Sequence, residues 1–501
     1  MNISASTFGK PLVAALTATA AVFTLAWLAM RSSAAQPVML WTDALIYVLV
    51  FSILLFALYA RAHEHLRAPW RQVKRRRLGM MSLVILLAYT AVGLLDSVHF
   101  KLQVTNTNGE QRSTSGEVLS VLDVIATPLR EHDEKTYSAP FATHAYVKEM
   151  VQHADGTQSR EFPPLKFGGA HLKDPERERS ADITNLALVG LLIGLVIAAT
   201  LLGVLTAWLS RCEHVAFGAM LRRVVRGETA TPWHVVLVTL TVIIVLVALS
   251  SVLAGKYHVF GTDKVGQDVF YASLKSIRTG LVIGTLTTLI MLPFAVLLGI
   301  MAGYFRGWID DVIQYVYTTL NSIPGVLLIA AAVLLVQVYL QTQGERFDTV
   351  ERADLRLLFL CMILGITSWT GLCRLLRGES LKLRELDYIQ SATALGVGHF
   401  TIIGRHILPN VMHIVLIAVV LDFSGLVLAE AVLSYVGVGV DPTMNSWGNM
   451  INQARLEMAR EPMVWWSLAA AFVFMFVLVL AANLFSDAVR DAFDPRLRER
   501  G

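Results

Sequence analysis

A polytopic, all-α membrane protein of about ten transmembrane helices, with one small extracytoplasmic domain, is the fold this chain predicts. Three observations predict it. Of 501 residues, 55% are hydrophobic and only 16% are charged. The apolar residues gather in runs of roughly 20, enough for a helix to cross a hydrocarbon core about 30 Å thick. Short loops between the runs alternate in basic charge, which sets an inside and an outside. This composition excludes a disordered chain and a disulfide-stapled secreted module. Cys212, Cys361 and Cys373 lie far apart, with no Cys-x-x-Cys pair and no histidine at zinc spacing, and read as small buried apolar residues. A net charge of +4 is too slight to call for nucleic acid.

The first run, 11–30, follows Lys10 and precedes Ser33-Ala34-Ala35, the outline of a secretory signal. At roughly 20 residues it exceeds a usual signal core, so an uncleaved span is expected. Further spans are predicted at 38–60, 78–95, 184–209, 233–254, 280–302, 311–340, 355–376, 410–437 and 464–486. Trp41, Trp208, Trp233, Trp465 and Trp466 stand near span ends, where an amphipathic ring suits the headgroup level; Trp27 and Trp369 do not.

Orientation follows from the loops. Segment 61–77 carries seven Lys or Arg against the single acid Glu64, and 210–232 carries Arg211, Arg222, Arg223 and Arg226 against two acids. Both therefore face the cytoplasm. Alternation then puts 96–183, 255–279, 341–354 and 438–463 outside, and 303–310, 377–409 and both termini inside. Residues 96–183 are polar, with turn signals at Asn108-Gly109 and Asp155-Gly156 and a weak strand signal at 146–150. A structureless loop of that length is unusual, so a small folded domain is expected there. The predicted organisation is a three-span extension (1–95), the extracytoplasmic domain (96–183), a fourth span with its basic loop (184–232) and a six-span core (233–501).

Chemistry is sparse. The chain has no Gly-x-x-x-x-Gly-Lys-Ser/Thr phosphate loop, no His-Glu-x-x-His helix and no Gly-x-Ser-x-Gly elbow. His63-Glu64-His65 has the wrong spacing for a metal and reads as solvated surface. Gly190 with Gly194 and Gly299 with Gly303 read as close helix packing. No catalytic or metal-ligating residue is assigned, which favours a transporter or channel over an enzyme. Asp311, Arg356 and Arg374 lie near span ends, where a charged head reaches the interface. Asp43 reads as an interfacial carboxylate. Asp422 lies about four turns from the outer end of its span, and Glu430 lies close to that end. A carboxylate inside a span suggests a water-lined path or a buried pair, so both are candidates for a translocation path; for Glu430 a structural role is equally compatible.

In the inner loop 377–409, Leu386, Ile389, Ala392 (or Thr393) and Leu395 recur at helical spacing, and Gly396 suits the residue after a helix end. A second helical stretch runs to Arg405-His406-Ile407-Leu408-Pro409-Asn410, and Pro409 is expected to open the next span. An amphipathic helix here fits either the lipid interface or a groove on a partner protein.

Gly396, with Ala392 before it and Leu408-Pro409 after it, resembles the EAA loop of ABC importer permeases. Flanking residues narrow the resemblance to the C-type permease subunit of dipeptide and oligopeptide importers: Gly261, Thr262 and Asp263 with Gly266 and Asp268, then Gly303-Tyr304-Phe305, Arg374 with Arg377-Gly378, Ala429-Glu430-Ala431, Ser446-Trp447-Gly448 and Arg490-Asp491-Ala492-Phe493. These motifs run in family order through 255–497. The resemblance implies a type I core of six helices in the bacterial inner membrane. It implies an ATPase-coupling loop at Tyr388, Gln390, Ser391, Ala392, Leu395, Gly396, Arg405, Leu408 and Pro409, with Pro409 as a fixed hinge. Its implied partners are a second homologous permease, two ABC ATPase subunits and an extracytoplasmic solute-binding protein. No cofactor is implied for this chain, since ATP and magnesium belong to the ATPase subunits. Peptide import by alternating access is the function implied; a non-transporting scaffold or sensor on a permease fold is the alternative. Three features depart from the family: Gln390-Ser391 stand where it has Glu-Ala, Val259 and Gln267 replace its usual Pro and Arg, and residues 1–232 have no counterpart.

Overall fold

The computed structural model describes residues 35–62, 64–104, 113–152, 158–342 and 347–493. The span expected at 11–30 lies outside them. Among the described residues, eight helices are long and apolar enough to cross a membrane: Arg77–Asp96, Arg177–Glu213, Trp233–Ala254, Val269–Phe305, Gly325–Thr342, Thr349–Arg384, His399–Tyr435 and Trp466–Phe493. The helix Trp41–Ala62 takes the place of the span expected at 38–60, with a shorter apolar stretch over Trp41–Leu55. Ile323 takes extended backbone (φ −89°, ψ 130°) before Pro324, so the single span expected at 311–340 divides into Trp308–Ser322 and Gly325–Thr342. Trp369 keeps right-handed helical angles, which lets Thr349–Ser368 run on into Thr370–Arg384.

Small residues bring helix backbones together where the spacing predicted it. A Cβ on Gly190 or Gly194 would stand 2.9 Å from Leu249 Cα or 2.8 Å from Val245 Cα, so Pro175–Glu213 packs tightly on Trp233–Ala254. On Gly303 it would stand 2.6 Å from the Arg377 carbonyl, which fixes Val269–Phe305 against Thr370–Arg384. The bundle does not divide at residue 233. Arg77–Asp96, from the expected extension, packs directly on Val269–Phe305 and Trp466–Phe493. Cys361 and Cys373 are buried apolar contacts as expected, whereas Cys212 is exposed.

The segment 96–183, expected to be a small domain, is folded and contains strands. β1 (Ala35–Val38), β2 (His99–Val104) and β3 (Ser113–Ser120) form an antiparallel sheet in the order β1-β2-β3, so a strand before the first described helix completes it. β4 (Glu149–Gln152) and β5 (Gln158–Glu161) form a hairpin. The turn signals at Asn108-Gly109 and Asp155-Gly156 fall outside the described residues, each between two strands that pair. Ser120 ends β3 and starts the next helix through a capping box: its Oγ accepts from Asp123 N–H (3.2 Å), and Asp123 Oδ2 accepts from Ser120 N–H (2.8 Å).

Candidate functional site: a hook and a brace

The loop at 385–409 folds as a hook. A short helix, Asp387–Ala394, buries Ile389 against Ile402, Ile407 and Val411. Gly396 ends it at φ +78°, with Val397 N–H donating to the Ala392 carbonyl (3.1 Å) and Gly396 N–H to that of Thr393 (3.0 Å). Open space surrounds Gly396, so its backbone angle and not crowding calls for glycine. The hook is tied to the bundle at its base. Arg377 grips Asp310 with two parallel bonds (2.6 and 2.7 Å), Arg384 donates to the Tyr304 carbonyl (2.8 Å), and Tyr304 Oη lies 2.8 Å from His399 Nδ1. Tyr388 accepts from Asn410 (3.1 Å), and Gln390 turns back to the Glu385 carbonyl (3.2 Å). Ser391 and Arg405 are exposed and Ala392 packs inward. At the tip, Leu395 is 84% and Phe400 86% exposed, large apolar surfaces with no cover from this chain.

Pro409, the expected hinge, does not interrupt the helix. His399–Tyr435 is one helical rod of 37 residues. Proline has no N–H for the carbonyl four residues back and normally breaks the ladder. Here a π-turn over Ile403–Ile407, closed by Leu408 N–H on the Ile403 carbonyl, widens the helix just before Pro409.

The motif residues at the other end of Val269–Phe305 form a brace that carries the folded segment within 96–183. Asp268 caps that helix through Phe270 and Tyr271 N–H (2.8 and 3.1 Å), and Asp263 accepts from Val265 and Gln267 N–H (both 2.9 Å). Thr262 exchanges bonds with Ser138 and donates to the Thr136 carbonyl (2.8 Å). Gly261 and Gly266 stand at positive φ, and a Cβ on Gly266 would overlap the Glu134 carbonyl at 1.8 Å. Trp447 donates to the Ser273 carbonyl (3.2 Å), while Gly448 leaves room for Glu430 Oε1, 2.8 Å from where its Cβ would be. Brace and hook thus occupy opposite ends of one helix.

His258 holds the domain electrostatically. Its Nδ1 lies 2.8 Å from Asp268 Oδ2, and its Nε2 lies 3.5 Å from Glu134 Oε1, the latter an ion-pair distance and not a hydrogen bond. Burial alone would lower the imidazole pKa, but the Asp268 and Glu134 carboxylates outweigh it and raise the value from 6.5 to about 9. The interaction therefore stabilises the docked domain fully below pH 6.5 and is lost as pH rises through about 9. Limited proteolysis of 96–183 is expected to quicken between pH 7 and pH 10 in the native chain. In His258→Gln it is expected to be fast at both; equal pH dependence in the two would exclude this role.

A second set of contacts was not legible in the sequence. Arg278 donates to Asp43 (2.6 Å) and Thr42 (2.9 Å) and lies 3.8 Å from Asp354, while Thr42 itself bonds Asp354. Lys275 donates to Asp96 (2.6 Å) and Asp123 (2.9 Å). These two cations on Val269–Phe305 clamp Trp41–Ala62, Arg77–Asp96, Thr349–Ser368 and the domain together. Asp43 is accordingly a buried, paired carboxylate and not an interfacial one: it is 1% exposed and also meets His99 Nδ1 at 2.8 Å. Arg356 likewise turns inward, to Asp441 at 3.3 Å.

The two path candidates separate. Glu430 is enclosed (1% exposed), accepts from Ser434 Oγ (2.7 Å) and lies under Gly448, so it braces the C-terminal end of its helix. Asp422 is half-buried and makes no hydrogen bond or ion pair among the described residues.

Residues 295–499 match the family described as "Binding-protein-dependent transport system inner membrane component". The chain is 34% identical over 243 residues to the glutathione transport system permease protein GsiD of Pectobacterium atrosepticum, covering 48% of this chain and 73% of that protein. It is 30% identical over 242 residues to the oligopeptide permease OppC of Haemophilus influenzae (48% and 71%), and 29% over 241 residues to the dipeptide permease DppC of Bacillus subtilis (48% and 69%). With its apolar helices and this extent of similarity, the chain belongs to the multi-pass inner-membrane permease subunits of ABC importers, in the C-type branch typified by the dipeptide and oligopeptide systems.

Proposed function

We propose that this chain is the translocating subunit of an ATP-driven peptide importer that works by alternating access. A second homologous permease would complete the path, two ATPase subunits carrying ATP and magnesium would grip the hooks, and a solute-binding protein would deliver peptide to the outer face. Both termini and the hook would face the cytoplasm, and the domain at 96–183 would face outward. Coupling is assigned to Tyr388, Gln390, Ser391, Ala392, Leu395, Gly396, Arg405, Leu408 and Pro409.

The observation that carries this reading is the hook: a stiff element with two uncovered apolar side chains at its tip, fixed at its base and continuous with a full-length helix. Closure of the ATPase pair pushes on Leu395 and Phe400. Ile389 and the Arg377–Asp310 pair pass the displacement to the inner ends of Val269–Phe305 and Thr370–Arg384, while the clamps at Arg278 and Lys275 hold the outer ends. Gln390 meets the backbone of its own hook, so contact with the ATPase rests on shape and apolar area more than on charge.

Purification of the tagged chain from its native membrane tests the reading. Two ATPase subunits and a second permease are expected with it, and vesicles holding the assembly are expected to accumulate labelled dipeptide only with ATP. A chain that purifies alone and supports no uptake would instead be a scaffold.

A further inference from the structure

A cavity of about 240 Å³ opens among the outer ends of Gly325–Thr342 and Thr349–Ser368 and the loop at 441–443. Two arginines one helical turn apart, Arg352 and Arg356, line it, with Gln337, Gln341 and Thr349 beside them. The one carboxylate in its wall among the described residues, Asp441, pairs with Arg356 through Oδ2 (3.3 Å), and its Oδ1 is already taken by Thr443 N–H and Oγ1 (3.0 and 2.7 Å). Among the described residues the wall thus holds two positive charges against one negative. Arg352 has no hydrogen-bond or ion-pair partner among the described residues, and the Nε atoms of both arginines are buried without one. Arg356 itself is 9% exposed. Guanidinium groups held half-desolvated, beside uncharged amide and hydroxyl groups, are a poor arrangement for a solvated surface and a good one for a planar oxyanion.

We propose that this cavity binds the free carboxylate of an incoming solute, received by Arg352 and Arg356 and flanked by Gln337 and Gln341. The identity of the solute rests on the peptide-import reading, in which that group is the C-terminal carboxylate. The site would then discriminate a free peptide from its amide before translocation.

Cysteine protection in the full-length chain tests it. With exposed Cys212 changed to Ser, Thr349→Cys places one accessible thiol on the rim. Modification of that thiol by neutral methyl methanethiosulfonate is timed with no addition, with dialanine, with dialanine amide and with inorganic phosphate. Loss of a charge-assisted pair of bonds translates to about tenfold, so dialanine is expected to protect about ten times better than its amide. Arg352→Gln, at the more exposed of the two arginines, is expected to erase the difference, and Gln337→Leu offers a second variant that leaves both charges in place and is expected to weaken it.

Equal protection by peptide and amide, or none by either, overturns the proposal. Protection by phosphate equal to that by dialanine overturns it too, and points to a lipid headgroup. Failure here stays distinct from failure of the importer reading. ATP-driven dialanine uptake with no protection refutes this site alone, whereas protection without uptake refutes the importer and leaves the site.

Discussion

Changing Leu395 and Phe400 together to Ala is expected to strip the ATPase subunits from the purified chain and to lower ATP-driven peptide uptake by two orders of magnitude or more. Both side chains are large, apolar and more than four-fifths exposed at the tip of a hook whose base is rigid. Buried anchors of this kind contribute about 2 kcal/mol or more each at an interface, and two of them correspond to roughly a thousandfold in affinity if they act independently. Neither residue is packed within this chain, so the variant should reach the membrane and melt like the parent. Exposed Tyr388, already bonded to Asn410, is expected to matter less. Undiminished co-purification of the ATPases with the double variant would move the coupling surface elsewhere.

Arg278→Met is expected to be the most damaging single change for stability. The guanidinium is 5% exposed and faces Asp43 and Asp354, both nearly inaccessible. Removing one member of a buried pair leaves the other charge uncompensated and typically costs about 3–5 kcal/mol. The fall should appear as a lower melting temperature in detergent and as faster proteolysis of 96–183, because β1 and β2 lead directly into and out of the clamped helices. Adding Asp43→Asn and Asp354→Asn removes the orphaned charges and is expected to restore part of the loss. If Arg278→Met melts with the native chain, the Arg278 cluster does not hold the extension, and apolar packing and the Lys275 clamp do.

The membrane helices were legible because each carries its own signal, a run of apolar residues that needs no partner to be recognised. Gly396 was legible for a similar reason: a helical period ends just before it. The turn signals at Asn108-Gly109 and Asp155-Gly156 likewise fell between strands that pair. The polar clamps were not legible. Arg278 and Asp43 are 235 positions apart, and Tyr137 reaches Glu457 across 320. No local period links such residues, and a carboxylate near a span end looks the same whether it meets water or a buried guanidinium. Pro324 and Pro409 show the same limit from the other side. Both stand in apolar runs, yet one divides a helix and the other is absorbed by a π-turn, a choice made by the packing around them.

The continuous helix from His399 to Tyr435, with its π-turn at Ile403–Ile407, has a consequence for communication across the bilayer. At 1.5 Å per residue its 37 residues reach about 55 Å, the full depth of the membrane and its headgroups. One end is the tip on which the ATPases would press, and the other carries the Glu430–Gly448 seam. A helix hydrogen-bonded along its length passes a push at one end toward the other, with the π-turn beside Pro409 as a place where it can flex. In the importer proposed above, whatever fastens to the hook then shares a free energy with whatever settles at the far end of this helix. Thermodynamic reciprocity makes that exchange equal in both directions: arrival of cargo outside should tighten nucleotide binding inside by the same factor with which nucleotide favours the cargo.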